Sequence, residues 1–245
     1  MKWYFVDTGL NDGNFNMQYD IELTKKVKDD ECILRLYRWS PYCISLGANQ
    51  NFSDVNLTKA KSDNFDVVKR PTGGRAILHS EELTYSVVFP LSLNYSVRDI
   101  YNQINLALKK GLEIFNPELN KIELENNQTD FRNFYKKDIS SICFAVSARY
   151  EINYLKKKLV GSAQRKIGNL VLQHGSILCG TYHQKIVDYL NIEKSELENI
   201  SVELKNTTID LKTILGKEIN ISDLSESIKK GFENHFQISF KPLSK

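Results

Sequence analysis

The stretch KLVGSAQRKIGNLVLQHG, residues 158–175, holds two apolar runs with a Gly168-Asn169 pair between them. Glycine and asparagine both accept the backbone conformations that a tight two-residue turn requires. The pattern therefore predicts a β-hairpin whose strands cover residues 158–165 and 170–175. We expect these two strands to lie side by side in a larger sheet.

Further strands are predicted upstream of this hairpin, where short apolar segments alternate with polar residues or turn signals. They cover residues 3–6, 32–39, 42–46, 66–70, 75–79, 83–89 and 149–155. Because the strands come first and are mostly adjacent, with helices at the flanks, the fold class expected is α+β with a mixed sheet.

Helices are predicted where apolar residues recur at every third or fourth position. The first begins at Asp12 or Asn14 and ends near Val27, a long one covers residues 97–115, and the last covers 222–236. The apolar residues of the first helix share one predicted face: Phe15, Tyr19, Leu23 and Val27.

The domain organisation follows from the absence of internal repeats and of linkers rich in Pro, Gly or Ser. We predict a single domain over residues 1–245, with a core at about 30–215. Gly216 and Asn220 break the helical pattern, and a short helical C-terminal extension follows them.

Composition excludes several classes of protein. The chain is 41% hydrophobic and 26% charged, which is ordinary for a globular domain. A net charge of +3 gives no reason to expect a nucleic-acid partner. No apolar run approaches the ~20 residues of a membrane helix, and the N-terminus lacks the apolar stretch of a signal peptide. A cytoplasmic protein is expected.

The four cysteines show neither CxxC pairs nor metal-ligand spacing, so neither a disulfide framework nor a metal site is predicted. A cysteine among apolar residues is by default an inert core residue, which is our interpretation of Cys32, Cys43 and Cys179. Cys143 differs because it follows a polar segment and precedes a strand. A loop at the rim of a site is expected for it.

A glycine-rich loop at residues 70–79, RPTGGRAILH, is the first candidate for ligand binding. Gly73 and Gly74 allow a backbone to approach a ligand closely, and the flanking Arg70 and Arg75 are suited to a phosphate or carboxylate. A plain Gly-Gly turn with surface arginines explains the same residues. Neither a Walker loop nor a dinucleotide-binding motif is present.

Lys158 is the second candidate, because it follows two other lysines yet begins a segment of apolar and small residues. If that segment enters a pocket, Lys158 supplies a buried ammonium there. The alternative is a solvated lysine run. Gly161 again permits close backbone approach, and His174 is either a ligand contact or a core histidine.

Taken together, these motifs resemble the biotin/lipoate protein ligase catalytic domain family. The matching stretches are RWSPYCISLGANQ (38–50), KRPTGGRAILH (69–79), ELTYS (82–86), KLVGSAQR (158–165) and LQHGSIL (172–178). Each motif alone is weak, but jointly they cover most of the chain. The resemblance implies the mixed sheet flanked by helices of that family.

Within the family, the chain is most similar to the octanoyltransferases that load the glycine cleavage H protein. In those enzymes a cysteine upstream of the K-x-x-G-S-A-Q motif forms an acyl-thioester, and Cys143 matches that place. The resemblance implies Cys143 and Lys158 as catalytic residues and no cofactor. Substrate contacts are implied at Arg70, Gly73, Gly74, Arg75, His79, Gly161, Ser162, Ala163, Gln164, His174 and Gly175.

The implied partners are octanoyl-acyl carrier protein as donor and the H protein or a lipoyl domain as acceptor. Three alternatives stay open. An ATP-dependent lipoate or octanoate ligase would use ATP and magnesium, with Arg70 and the glycine-rich loop holding an adenylate. An amidotransferase would take octanoyl from the H protein. A catalytically silent binding protein would merely pack Cys143.

Overall fold

The computed structural model describes residues 1–124 and 151–243. Eleven strands form within these residues. They are β1 (Lys2–Asn11), β2 (Glu31–Trp39), β3 (Cys43–Leu46), β4 (Asp66–Lys69), β5 (Ile77–His79), β6 (Glu82–Pro90), β7 (Ile122–Leu124), β8 (Ile152–Tyr154), β9 (Lys157–Ile167), β10 (Leu170–Leu178) and β11 (Lys241–Pro242).

Six α-helices lie in the same described ranges. They are α1 (Gly13–Lys26), α2 (Leu57–Ser62), α3 (Val97–Phe115), α4 (Lys194–Thr207), α5 (Leu211–Leu215) and α6 (Ile221–Phe236). Short 3₁₀ helices add Phe52–Asp54, Leu91–Leu93, Pro117–Lys121 and Tyr182–Tyr189. In this part of the chain no helix is both long and apolar enough to cross a membrane.

The strands form two sheets. The main sheet has eight strands in the order β11-β1-β2-β6-β10-β9-β8-β7, and the smaller has three in the order β4-β3-β5. Strand β1 runs parallel to both its neighbours, whereas the other pairs of the main sheet are antiparallel. The predicted α+β fold with a mixed sheet is therefore confirmed.

The hairpin expected from the sequence is present as β9 and β10. Ile167 pairs with Leu170, so Gly168 and Asn169 form the turn between them. Gly168 has φ +57°, a left-handed conformation that glycine adopts without steric cost. Both strands are longer than predicted, because β9 continues to Ile167 at the turn, where it pairs with β10, and β10 continues to Leu178, where it pairs with β6.

The core extends beyond the predicted limits of 30–215. Helix α6 packs against α3, where a Cβ on Gly231 would lie 2.3 Å from the backbone nitrogen of Gly111. Close approach of the two helices thus depends on glycine. Leu224 and Phe232 of α6 are fully buried, and Phe232 contacts Trp3 of β1. The C-terminal segment is part of the main core rather than an extension.

Helix α1 begins as predicted, with the Asp12 side chain accepting a hydrogen bond from the Phe15 backbone N–H. Its buried face differs from the prediction, however. Phe15 is 39% exposed, whereas Asn16 and Asp20 are fully buried. The reason is electrostatic, because a buried arginine on β2 draws these polar side chains inward.

Candidate active site

A pocket of about 440 Å³ lies between the main sheet and the elements that cover it. Strands β2, β6, β9 and β10 supply one side. Met17 of α1, Ile77 and His79 of β5, and Arg70 supply the other. The second sheet and α1 therefore close over the main sheet and leave this space between them.

The floor of the pocket is one row of paired residues across four strands. Tyr37 pairs with Thr84, Thr84 with Ser176, and Ser176 with Gly161. All four line the pocket. Three spacings of ~4.8 Å between adjacent strands make the row about 14 Å long. The pocket is thus a trough that runs across the strands, with Glu151 beyond its Gly161 end.

The glycine-rich loop is held in place by Arg70, which is buried. Its Nη1 donates to the carbonyl oxygen of Ser45 at 2.9 Å and to the Ser45 hydroxyl at 3.2 Å. Nη2 and Nε donate to the carbonyls of Gly73 and Arg75. These bonds account for the five donors of a guanidinium. The sequence had suggested that Arg70 binds a phosphate or carboxylate. In the structure its donors are used to hold the loop in shape instead.

A buried polar chain links the loop to the sheet. Asp20 is ion-paired with Arg35 at 2.7 Å and lies 3.5 Å from His174 Nδ1. His174 Nε2 is hydrogen-bonded at 2.6 Å to the hydroxyl of Thr72 in the loop. Burial lowers the pKa of His174 despite the nearby Asp20 carboxylate. The neutral imidazole of His174 carries its proton on Nδ1, toward Asp20. Its Nε2 then accepts a hydrogen bond from the Thr72 hydroxyl, and this bond fixes the loop.

A second polar network, formed around His79 and Trp39, lies toward the Tyr37 end of the trough. The His79 ring stacks on Trp39 with centroids 4.1 Å apart. His79 Nδ1 lies 2.8 Å from the Glu82 carboxylate, and Trp39 Nε1 donates to Thr84 at 2.7 Å. Burial alone would raise the pKa of Glu82, but the neighbouring His79 and hydroxyl groups outweigh it and lower that pKa. Both rings are therefore held rigidly, with their polar atoms satisfied.

Lys158 is buried, with its side chain 2% exposed, which excludes the alternative of a solvated lysine run for this residue. Its ammonium lies 3.0 Å from the carboxylate of Glu151, which is 4% exposed and lines the pocket. Strand β9 has an irregular register with β8 at this point. A buried charge requires such a partner, since an isolated ammonium would pay a large desolvation cost. Glu151 therefore brings a charged group to the Gly161 end of the trough, and Lys158, which is not itself a lining residue, is ion-paired with it there.

Most of the predicted contact residues line this pocket. They are Arg70, His79, Gly161, Ser162, Ala163, His174 and Gly175. Gly73, Gly74, Arg75 and Gln164 are not among its lining residues. Gln164 pairs with Gln173, next to the pocket-lining Ala163 and His174, so alternation along the strands turns it to the opposite face.

The cysteines separate into two groups. Cys143 lies outside the described residues. Cys32, Cys43 and Cys179 are buried and free, as predicted. Burial raises the pKa of Cys179 to about 12 and also raises those of Cys32 and Cys43. These three thiols are therefore protonated at neutral pH, and none lines the pocket described above.

Several residues in the pocket, and Asp20 beside it, were missed by the sequence analysis. Asp20 and Glu151 were not selected, although Arg35 in the middle of an apolar strand signals that a buried acid must lie near it. Trp39 and Tyr37 of the same strand resembled ordinary core residues. Met17 gave no signal, because a single methionine on a helix is most often a packing residue.

Known proteins match this chain over most of its length. A family model described as the lipoyl protein ligase A/B catalytic domain matches residues 12–233. The octanoyltransferases LipM of Staphylococcus aureus and Clostridioides difficile are each 32% identical, covering 98% of this chain and 89% of theirs. The octanoyltransferase LipM of Bacillus subtilis is 30% identical, covering 98% of this chain and 88% of its own.

Solved structures show the same fold. A lipoate-protein ligase A bound with ATP aligns with a TM-score of 0.74 at 21% identity, over 98% of this chain and 87% of that one. A bipartite lipoate protein ligase from Thermoplasma acidophilum, studied with its E2 lipoyl domain, aligns with a TM-score of 0.76 at 19% identity, over 99% and 86%.

Proposed function

The chain belongs to the lipoyl protein ligase A/B catalytic domain family, and we propose that it is an octanoyltransferase of protein lipoylation. The observation that carries the proposal is nearly full-length similarity, at 30–32% identity, to bacterial octanoyltransferases. The donor is octanoyl-acyl carrier protein. The acceptor is a lysine of the glycine cleavage H protein or of a lipoyl domain, which receives the octanoyl group as an amide.

The trough suits an eight-carbon acyl chain. Its walls are Met17, Ile77 and the rings of Tyr37 and Trp39, and Gly161 and Ala163 on β9 leave room above the floor. Burying ~6 methylenes at ~0.8 kcal/mol each contributes about 5 kcal/mol to binding. The chain lies along the apolar part, and its carbonyl lies near the Lys158–Glu151 pair.

The first half-reaction moves octanoyl to Cys143. A thiolate attacks the thioester carbonyl of the donor, and the sulfur of the carrier's pantetheine arm leaves. Lys158 has two tasks in this step. Its ammonium favours the thiolate over the thiol, and it then gives a proton to the departing sulfur. Thioester exchange is nearly balanced in free energy. Covalent catalysis therefore divides the transfer into an almost isoenergetic thioester exchange and a separate amide-forming step.

The second half-reaction forms the amide. The acceptor amine attacks the Cys143 thioester, and the now neutral Lys158 takes the proton that the nitrogen loses. Cys143 leaves as a thiolate, and the ion pair of the starting state is restored. Glu151 stabilises the ammonium form of Lys158 at 3.0 Å and so favours that proton transfer. The donor thioester supplies all the activation, and no ATP or metal is consumed.

Backbone N–H groups near the trough are candidates for stabilising the oxyanion of each tetrahedral intermediate. Strand β9 pairs with β8 only as far as Val160. Among the described residues, its outer edge from Gly161 onward therefore has no strand partner. The amides near Gly161 and Ser162, which line the trough, would supply this function, whereas Gly73 and Gly74 lie outside its lining.

A donor comparison tests the proposal. Purified protein and acceptor are incubated with octanoyl-acyl carrier protein, with octanoate plus ATP and magnesium, or with octanoyl-H protein. Octanoylation of the acceptor is followed by mass spectrometry. We expect product from the carrier protein without ATP. Product only with ATP would establish the ligase alternative, and product only from octanoyl-H protein would establish the amidotransferase.

Replacing Gly74 by valine tests the role of the loop. Gly74 has φ +95°, where a β-branched residue is strained by ~1–3 kcal/mol, and its carbonyl lies against Gly47. We expect turnover to fall at least about 100-fold, because misplacing a positioning element by ~1 Å has such an effect. Thermal unfolding should shift by only a few degrees.

The matched control is Gly216→Val, which imposes a similar strain at φ +63° on the C-terminal cap of α5. That variant should lose comparable stability and keep its turnover. Equal losses of turnover in the two variants would show that strain, and not the loop, is responsible. Retained turnover in Gly74→Val would remove the loop from the mechanism.

A further inference from the structure

Three of the sequence motifs meet in a single row of residues beside the floor of the trough. Tyr85 of ELTYS pairs with Gly175 of LQHGSIL, and Gly175 pairs with Ser162 of KLVGSAQR. Each lies one position along its strand from a residue of the trough floor. Because side chains alternate along a strand, the Tyr85 and Ser162 side chains lie on the opposite face of the main sheet, where Tyr85 packs in the core under helix α3.

Gly175 lets the tyrosine ring cross from β6 to β9. A Cβ at this position would lie 2.8 Å from Cε1 of Tyr85 and 2.3 Å from the carbonyl oxygen of Gly161. Any side chain would therefore displace either the ring or the neighbouring strand. With glycine there, the Tyr85 hydroxyl passes the middle strand and lies 2.7 Å from the hydroxyl of Ser162.

The hydrogen bonds of the Tyr85 hydroxyl have a fixed direction. Gln173 donates to its oxygen from Nε2 at 3.0 Å, so the hydrogen of Tyr85 is free to be donated to Ser162. Burial raises the pKa of Tyr85, and the phenol therefore keeps that hydrogen at neutral pH. Tyr85 and Gln173 are both fully buried, and a hydrogen bond in such surroundings is stronger than one in water.

This bond holds β9 where the strand has least support. Strand β9 pairs with β8 only as far as Val160, and within residues 1–124 and 151–243 no strand covers its outer edge beyond that point. The next residues, Gly161, Ser162 and Ala163, have little side chain with which to pack. Glu151 lines the trough at the same end. The Ser162 hydroxyl is thus an anchor for the backbone that the proposed reaction places beside the acyl carbonyl.

We propose that Tyr85 is a positioning residue for acyl transfer, which acts through Ser162 to keep the β9 backbone in place to stabilise the oxyanion. The inference rests on the proposed octanoyltransferase function. Tyr85 is not a lining residue of the trough, so it contacts neither the thioester nor the attacking group. Both tetrahedral intermediates place their oxyanion at the same backbone, and loss of the Tyr85 hydroxyl therefore slows both half-reactions alike.

Tyr85→Phe removes one hydroxyl and tests this role. Single-turnover rates are measured for acylation of Cys143 by octanoyl-acyl carrier protein and for transfer from the acylated enzyme to the acceptor. We expect both rates to fall about tenfold, less than the ~10²–10³-fold loss of an oxyanion donor itself, with the half-saturating donor concentration unchanged. Iodoacetamide alkylation of Cys143 forms no oxyanion, so its rate and pH dependence should match those of the wild type.

Further variants complete the design. Ser162→Ala removes the other partner of the same bond and should slow both steps in the same way, also if Tyr85→Phe does not fold. The double variant Tyr85→Phe/Ser162→Ala should be no slower than either single variant, because the two residues act through one contact. Tyr189→Phe is the matched control. Tyr189 is also buried, donates to Asp63 at 2.7 Å and does not line the trough, so both rates should be retained.

Failure of this inference and failure of the function give different results. A wild type that transfers no octanoyl group contradicts the proposed function itself. An active wild type together with unchanged rates in Tyr85→Phe and Ser162→Ala overturns the positioning role alone. A loss confined to one half-reaction, or losses that multiply in the double variant, also overturn it. So does an equal loss in Tyr189→Phe or in the alkylation of Cys143, because general loosening would then explain the effect.

Discussion

Replacing Cys143 by serine should abolish octanoyl transfer, with a loss of at least about a thousandfold in turnover, as expected when a covalent nucleophile is removed. A serine hydroxyl has no appreciable alkoxide at neutral pH and gives an ester that is less reactive than a thioester. The measurement is acceptor octanoylation by mass spectrometry, with octanoyl-acyl carrier protein as donor.

The chain provides its own controls for this variant. Cys32, Cys43 and Cys179 are buried thiols whose pKa values burial raises, so their thiolate populations are negligible. Serine at each should cost ~1–3 kcal/mol of stability and leave transfer intact. If Cys143→Ser keeps full activity, or if a folded Cys43→Ser protein loses it, the assignment of the nucleophile is wrong.

Replacing Lys158 by alanine should raise the pH of half-maximal iodoacetamide alkylation at Cys143 by about 1–2 pH units. The sign follows from charge, because in the proposed mechanism the Lys158 ammonium stabilises the Cys143 thiolate, so its removal makes the thiol harder to ionise. Turnover should fall by ~10²–10⁴-fold, since the proton donor and acceptor is lost as well. Lys158→Arg should keep part of the alkylation effect and lose amide formation.

Variants of Glu151, the ion-pair partner of Lys158, separate the effect of the charge on stability from its effect on catalysis. Lys158→Ala takes the ammonium away from the buried Glu151 carboxylate, and breaking a buried ion pair in this way costs ~3–5 kcal/mol. Lys158→Ala/Glu151→Gln removes both charges and should recover much of that stability without recovering turnover. Glu151→Gln alone leaves the ammonium less neutralised, so the alkylation pH should move downward. An upward movement in that variant would contradict the electrostatic account.

Neighbouring lysines serve as charge controls. Lys156 is exposed, and the Lys157 ammonium donates to the carbonyl of Lys205 at 3.3 Å. Alanine at either position should change the alkylation pH little. Water and salt weaken the field of an exposed charge, which is largely screened beyond ~8–10 Å at moderate salt. Equal effects at all three lysines would reduce Lys158 to one member of a basic patch.

Local signals explain which parts of the fold were accessible from the sequence. The Gly168-Asn169 turn fixed the β9–β10 hairpin, and the apolar spacing of residues 97–115 predicted α3 at its observed limits. These elements depend on neighbours in the chain. The attachment of α6 to the core was missed, because it depends on Gly111 and Gly231 meeting across more than a hundred residues.

In the site, too, features that depend on neighbouring residues were predictable, and features that join distant residues were not. Glycine-rich and lysine-containing motifs located half of the lining residues, since small residues near polar ones are visible in the sequence. The ion pairs of Arg35 with Asp20 and of Lys158 with Glu151 were not visible, because each joins residues on separate elements. The use of the Arg70 donors by the loop carbonyls and by Ser45 of β3 also appears only in three dimensions.

If octanoyl is carried on Cys143 between donor and acceptor, the acylated protein should be visible in a measurement of its intact mass. Wild-type protein is mixed with octanoyl-acyl carrier protein without acceptor, and its mass is measured before and after hydroxylamine. The account predicts one added octanoyl group that hydroxylamine removes and that Cys143→Ala never acquires. An unmodified wild type that still octanoylates the acceptor at full rate, or an adduct that persists in Cys143→Ala, would contradict it.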